Sequence, residues 1–220
     1  MKHVVLASAI VVLALGLVVT PTRGSQGRAP QLRRGATKRL SSLAEAGPAH
    51  LRFRWDIVSY DFSARPVTVS AGGNATAIGS DDSKITFTGR GTFGGAPTHV
   101  TGGGTWQLSD ADGTALADGT YKITSLVSFI VAPGTFGDPT GRLELTDEIG
   151  GTDAYAGLAV LRIAYSDGSQ GTLLLSSYDV GTPPPRLMGI TATKSAVAYW
   201  ERQAPRPRTD GNRTLFHLIP

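Results

Sequence analysis

From residue 85 to residue 93 the chain alternates: Ile85, Phe87, Gly89, Gly91 and Phe93 share one parity, and Thr86, Thr88, Arg90 and Thr92 the other. Successive side chains of a strand point to opposite faces, so this stretch predicts a strand with an apolar inner side and a polar outer one. The next segments keep the phase. Val100, Gly102, Gly104, Trp106 and Leu108 alternate with Thr101, Gly103, Thr105 and Gln107, and Gly119, Tyr121, Ile123, Val127 and Phe129 continue the inner set. The tripeptides G-T-F (91–93), G-T-W (104–106), G-T-Y (119–121) and G-T-F (134–136) recur, the last bracketed by Pro133 and Pro139. Threonine faces outward in each, while the glycine and the ring share the inner side. There a ring covers a neighbouring strand's missing side chain, and glycine lets the strand bend.

Further strands are expected at 51–57, 67–69, 142–145, 158–165, 172–178 and 190–200, with a last short one at 214–219. Ser166-Asp167-Gly168-Ser169-Gln170 joins two of them as a hairpin. No window from residue 50 onward sustains a helical period, and only 153–158 could form a single helical turn. Nine or ten strands with Gly-rich turns, each repeat about one strand and one turn long, predict an all-β antiparallel meander closed or nearly closed into a barrel. The alternative is a two-sheet β-sandwich. Meander connections and bending glycines favour the barrel.

Secreted Gly-rich meanders with G-T-aromatic strands resemble the barrels of the dirigent and allene oxide cyclase group. The resemblance lies in the strand pattern and brings no site residue with it.

The ends of the chain differ from its middle. Met1-Lys2-His3, a mostly apolar run from Val4 to Val19, and Thr20-Pro21-Thr22-Arg23-Gly24 have the layout of a secretory signal segment. That run is short for a membrane span, which needs roughly 20 residues. Residues 1–24 are therefore expected to be a signal segment cut between Thr20 and Ser25. Residues 25–48 are read as a basic flexible linker, 49–201 as the barrel domain, and 202–220 as a Pro- and Arg-containing tail. The mature protein is then secreted, without a stable membrane span. Cysteine is absent, so an exported chain must rely on core burial rather than disulfides, which favours a bacterial host.

The formal net charge of +4 misleads. Residues 49–201 carry ten basic against fifteen acidic residues, and nucleic-acid binding needs a basic face on the folded domain. A nucleic-acid partner is not expected.

Candidate chemistry is sparse. Gly89, Gly91 and Gly94 have the G-x-G-x-x-G spacing, but a dinucleotide loop must open a helix, and here another strand follows. Asp110, Asp112 and Gly113 begin like a calcium loop, yet Ala115 and Tyr121 stand where that loop needs glycine and glutamate. His50, His99 and His217 are isolated, and neither a metal site nor a cofactor is expected. Asp81-Asp82 and Asp147-Glu148 with Asp153 nearby are oxygen-rich groupings suited either to turns or to a calcium or acid/base site. Arg162 and Glu144 read as a surface pair. Lys194 shares its face with Ile190, Ala192 and Trp200; it is either a partnered lysine inside the barrel or an inward charge guarding an edge strand.

These readings converge on a secreted, non-catalytic barrel that binds a small, largely apolar ligand beside Trp106, Tyr121 and Lys194. Two alternatives stand beside it: a barrel isomerase or cyclase, as the resemblance implies, and a carbohydrate- or surface-contact module using exposed aromatics such as Tyr155 and Tyr199.

Overall fold

A computed structural model describes residues 51–95, 99–131, 144–150, 154–177, 188–196 and 198–219. The expected signal segment, the linker, His50, Asp153 and the repeat at 134–136 lie outside the described residues. Among the described residues the strands are β1 (Arg52–Asp61), β2 (Val67–Ala71), β3 (Ala75–Ile78), β4 (Lys84–Phe87), β5 (Arg90–Gly94), β6 (His99–Ser109), β7 (Ala115–Val131), β8 (Leu145–Asp147), β9 (Ala154–Tyr155), β10 (Gly157–Tyr165), β11 (Gln170–Ser177), β12 (Gly189–Lys194), β13 (Ala198–Arg202) and β14 (Thr214–Ile219). In place of a helical turn, the described part of 153–158 holds β9 and the start of β10, joined at Ala156.

Eight strands close a barrel in chain order, β3-β4-β6-β7-β10-β11-β12-β13, with β13 returning to β3. Every pairing in the ring is antiparallel. The meander and its closure are as the alternation predicts, and the sandwich is excluded. Six further strands lie outside the ring. β6 is long enough to serve two partners, pairing β4 along its second half and β5 along its first. β1 joins β5 on one side and β14 on the other; β2 extends β1, β9 extends β14, and β8 runs parallel to β2.

The rings cover glycines across the strands. Trp55 pairs with Gly91, Trp106 with Gly119 and Tyr121 with Gly104. A Cβ on Gly91 would lie 2.8 Å from the Trp55 indole nitrogen and 2.1 Å from the Thr101 carbonyl oxygen. Gly102, opposite Gly91, has φ +113°, and a Cβ there would meet the Arg90 carbonyl oxygen at 2.3 Å. Only glycine fits that conformation in so close an approach. The result is one continuous core of Trp55, Phe87, Phe93, Trp106, Leu161, Ile163, Leu173, Ile190 and their neighbours.

The single strand expected over 190–200 is a hairpin, β12 and β13, because Ser195 turns the chain with φ +58°, and the stretch expected as one strand over 85–93 is divided into β4 and β5. Val127, expected inside, is 54% exposed. Register shifts in the β7–β10 ladder move the phase there: Leu161 faces Leu126 and Val160 faces Ser128, so Val127 bulges outward. The last short strand expected at 214–219 is present as β14, and through it the segment read as a tail packs onto the domain, with Thr214, Leu215, Phe216 and His217 buried. Its approach is pinned too. Arg213 is 7% exposed and donates to the carbonyls of Arg206, Thr209 and Gly211, while Asp210 accepts from the Tyr60 amide and the Ser59 hydroxyl. Pro205 and Pro207 belong to the stretch read as a tail, but backbone carbonyls turned onto one arginine make it a folded loop.

Candidate functional site

Lys194 ends β12, just before Ser195 turns the chain with φ +58°. Its inward phase carries it over the end of the core. Nζ lies 4.9 Å from the centroid of the Trp106 ring and 5.1 Å from that of Tyr165, close enough for both ring faces to attract the ammonium. Its anionic partner is Asp167, with which it forms a short ion pair. β12 is flanked by β11 and β13, so Lys194 does not guard an edge; it is the partnered lysine of the two readings.

Asp167 stands in the tight turn between β10 and β11. Its other oxygen accepts from the Ser169 amide at 3.0 Å and the Ser169 hydroxyl at 2.7 Å. The Lys194 hydrogen bond first, and those from Ser169 next, hold its carboxyl down at about 2. The Lys194 side chain is 17% exposed and that of Asp167 43%, so the anchor of this cap is more open to water than the cap.

Below Lys194 the rings interlock. Trp106 meets Tyr165 edge-on at 5.3 Å, Tyr165 lies 6.2 Å from Phe87, and Phe87 meets Tyr121 edge-on at 5.1 Å. Tyr121 donates to the Thr88 carbonyl at 2.9 Å and Tyr165 to the Thr193 carbonyl at 2.8 Å. Burial pushes both phenols well above their ordinary range, with the neighbouring Tyr165 adding to the effect on Tyr121 and Asp167 to that on Tyr165. The Trp106 indole N–H is buried without a hydrogen-bond partner. Of the three residues chosen from sequence, Trp106 and Lys194 therefore meet directly, and Tyr121 lies two rings deeper. Tyr165 and Asp167 are the members that sequence reasoning passed over. Tyr165 shares the inner parity of Leu161 and Ile163, whereas Asp167 reads only as a hairpin residue.

A second polar cluster lies on the outer side of β1 and β14. His217 Nε2 is 2.7 Å from Asp147 Oδ2, with side chains 1% and 4% exposed. The other Asp147 oxygen accepts from the amides of Ile149 and Gly150. Burial raises the Asp147 carboxyl, but these hydrogen bonds, led by that of His217, outweigh it and leave the group below its ordinary range. Arg54, paired with His217 in register, makes two hydrogen bonds to the fully buried Asp56. His217 and Asp147, separate in sequence, thus form a pair; Glu148 is exposed beside them. Among the described residues no three His, Asp or Glu side chains converge as metal ligands.

The other candidates are turn chemistry. Asp81 accepts from the Ser83 amide and hydroxyl, and Ser83 accepts from the Trp200 indole. Asp110 accepts from the Thr114 amide. Arg162 and Glu144 do not pair with each other. Tyr199 is 55% exposed on the outer face, and Tyr155 is half-buried against Phe53. No helix of the described residues is long and apolar enough to cross a membrane. The chain matches no protein-family model, no curated protein and no solved structure.

Proposed function

We propose that this domain is an exported, non-catalytic β-barrel that takes up a small, largely apolar ligand at the end stoppered by Lys194. The observation that carries the reading is the Lys194 ammonium laid over the rings of Trp106 and Tyr165 and tethered to Asp167, an anion on a turn open to water. A stopper held from an exposed turn can be displaced, and what lies beneath is an aromatic wall with an unpaired indole N–H. An apolar body would lie against Trp106, with Tyr121 deeper in the wall. Lys194 would then face the polar end of the ligand.

The isomerase or cyclase reading implied by the dirigent-like pattern shares this end of the barrel. It further needs a group that exchanges protons near neutral pH. Burial carries both phenols away from that range, and both are bonded to backbone carbonyls. Binding is therefore the reading the geometry supports best.

Titration with 1-anilinonaphthalene-8-sulfonate, an apolar body with one anionic end, tests the proposal. The folded protein should take up the probe saturably, and Lys194→Met should weaken uptake about tenfold, while Lys122→Met, on the exposed outer face, leaves it unchanged. Absence of saturable uptake, or equal affinities in the two variants, would overturn the proposal. Export is checked by sequencing the mature N-terminus, expected between Thr20 and Ser25.

A further inference from the structure

One row of outer-face residues crosses four neighbouring ring strands. Arg162 of β10 pairs with Thr172 of β11. The Thr172 amide donates to the Thr193 hydroxyl of β12 at 2.9 Å, and Thr193 pairs with Tyr199 of β13. Three strand spacings of about 4.8 Å place Arg162 and Tyr199 roughly 14 Å apart. From Arg162 to the end of β12 runs an open groove of about 350 Å³, lined by Arg162, Gln170, Thr172, Thr193 and Ser195 among others, and Tyr199 lies one strand beyond it.

We infer that this groove binds an acidic saccharide, with the carboxylate of a uronate unit on Arg162 and a sugar ring on Tyr199. The charge is available because Arg162 is exposed and makes no ion pair with any described residue, Glu144 included. Guanidinium and carboxylate match in planar, two-point geometry. One strand beyond the groove, in register with Thr193, Tyr199 presents a ring that is 55% exposed, an apolar platform of the kind the C–H face of a pyranose covers. The middle of the row supplies what a polyol needs. The Thr193 oxygen accepts from the Thr172 amide and keeps its own O–H free to donate, and the Gln170 amide offers both a donor and an acceptor. A guanidinium, hydroxyls and a ring in cross-strand register on a rigid sheet form a preorganised surface, which lowers the ordering cost of binding. A purely apolar partner would leave Arg162 and the hydroxyls desolvated without bonds. A nucleic acid would meet a domain with more acids than bases.

This site lies on the outer face beside the barrel end proposed above, and its ligand class keeps the two apart in the experiment. Isothermal titration of the full chain with trimers of galacturonate, mannuronate and glucuronate should find saturable binding of at least one, and the neutral galactose trimer should bind at least tenfold more weakly. Arg162→Gln and Tyr199→Ala should each weaken the preferred trimer about tenfold or more, whereas Arg90→Gln and Lys122→Met, at exposed sites elsewhere, leave it unchanged. Failure of all three acidic trimers to bind, equal binding of the neutral trimer, or equal losses in Arg162→Gln and Arg90→Gln would each overturn the inference.

Discussion

The inside of the barrel and the layer wrapped on its outer side at β1 and β14 solve the same problem by different means. Inside, large rings meet glycines across the strands, and the core is continuous and almost wholly apolar. Outside, the apolar cluster among the described residues is Val58, Val69, Ala154 and Leu215 with a few half-buried neighbours. That is too little surface to hold β2, β8 and β9 by burial alone, since apolar burial contributes roughly 25 cal/mol per Å². Around it the chain sets polar side chains in pairs, the buried His217 with Asp147 and the half-buried Arg54 with the buried Asp56. Where volume suffices, shape holds the fold; where it does not, charge-assisted hydrogen bonds hold the layer and make it sensitive to pH.

The largest expected effect breaks the inner half of this comparison. Trp106→Ala should cost about 3–5 kcal/mol in a denaturant titration, with little dependence on pH, because the ring fills the gap above Gly119. Next comes the outer half. His217→Ala leaves the Asp147 carboxylate buried without its partner and should cost about 1.5–3 kcal/mol at neutral pH. The folded-state carboxyl of Asp147 lies below its ordinary value. The stability it supplies is therefore complete above the ordinary carboxylate range, about pH 4, and is lost as pH falls through the lower folded-state value. Thermal midpoints of Asp147→Asn should accordingly fall less steeply in that acid window than those of the parent. A smaller effect sharpens the inner mechanism: Gly104→Ala places a Cβ 2.0 Å from the Thr88 carbonyl oxygen and should cost about 1–3 kcal/mol, since backbone must yield. The smallest is Thr105→Ala, expected within about 0.5 kcal/mol. Its hydroxyl meets Thr88 at 2.7 Å in the open, and water replaces that bond.

The inner half was legible in the sequence because a period of two and a repeated glycine-ring pairing are local signals. Phe87, Phe93, Trp106 and Tyr121 are all inside, as the parity predicts. Parity failed at Val127, where the extra residue of a bulge shifts the face without any mark in composition. The outer half was not legible. His217 and Asp147 are brought together by β14 returning to β1 and β8 lying beside β2, and no spacing rule connects residues that distant in the chain. Lys194 falls between the two cases: its unusual place on an apolar face was visible, but its anion, Asp167, was masked by the ordinary role of aspartate in a turn.

The pairing of β1 with β14, from Arg52 opposite Ile219 to Ile57 opposite Thr214, has a consequence for kinetics. Contacts so far apart in the chain form late, because loop closure precedes any gain from the ladder. Until residues 214–219 arrive, one flank of β1 is bare, and Phe53, Trp55 and Ile57 alternate along a strand that can template another chain. Arg52, Arg54 and Asp56 lie between them and act as charged gatekeepers against such pairing. A chain cut short before Thr214 would then be lost chiefly to aggregation through β1, with yield on refolding falling as protein concentration rises.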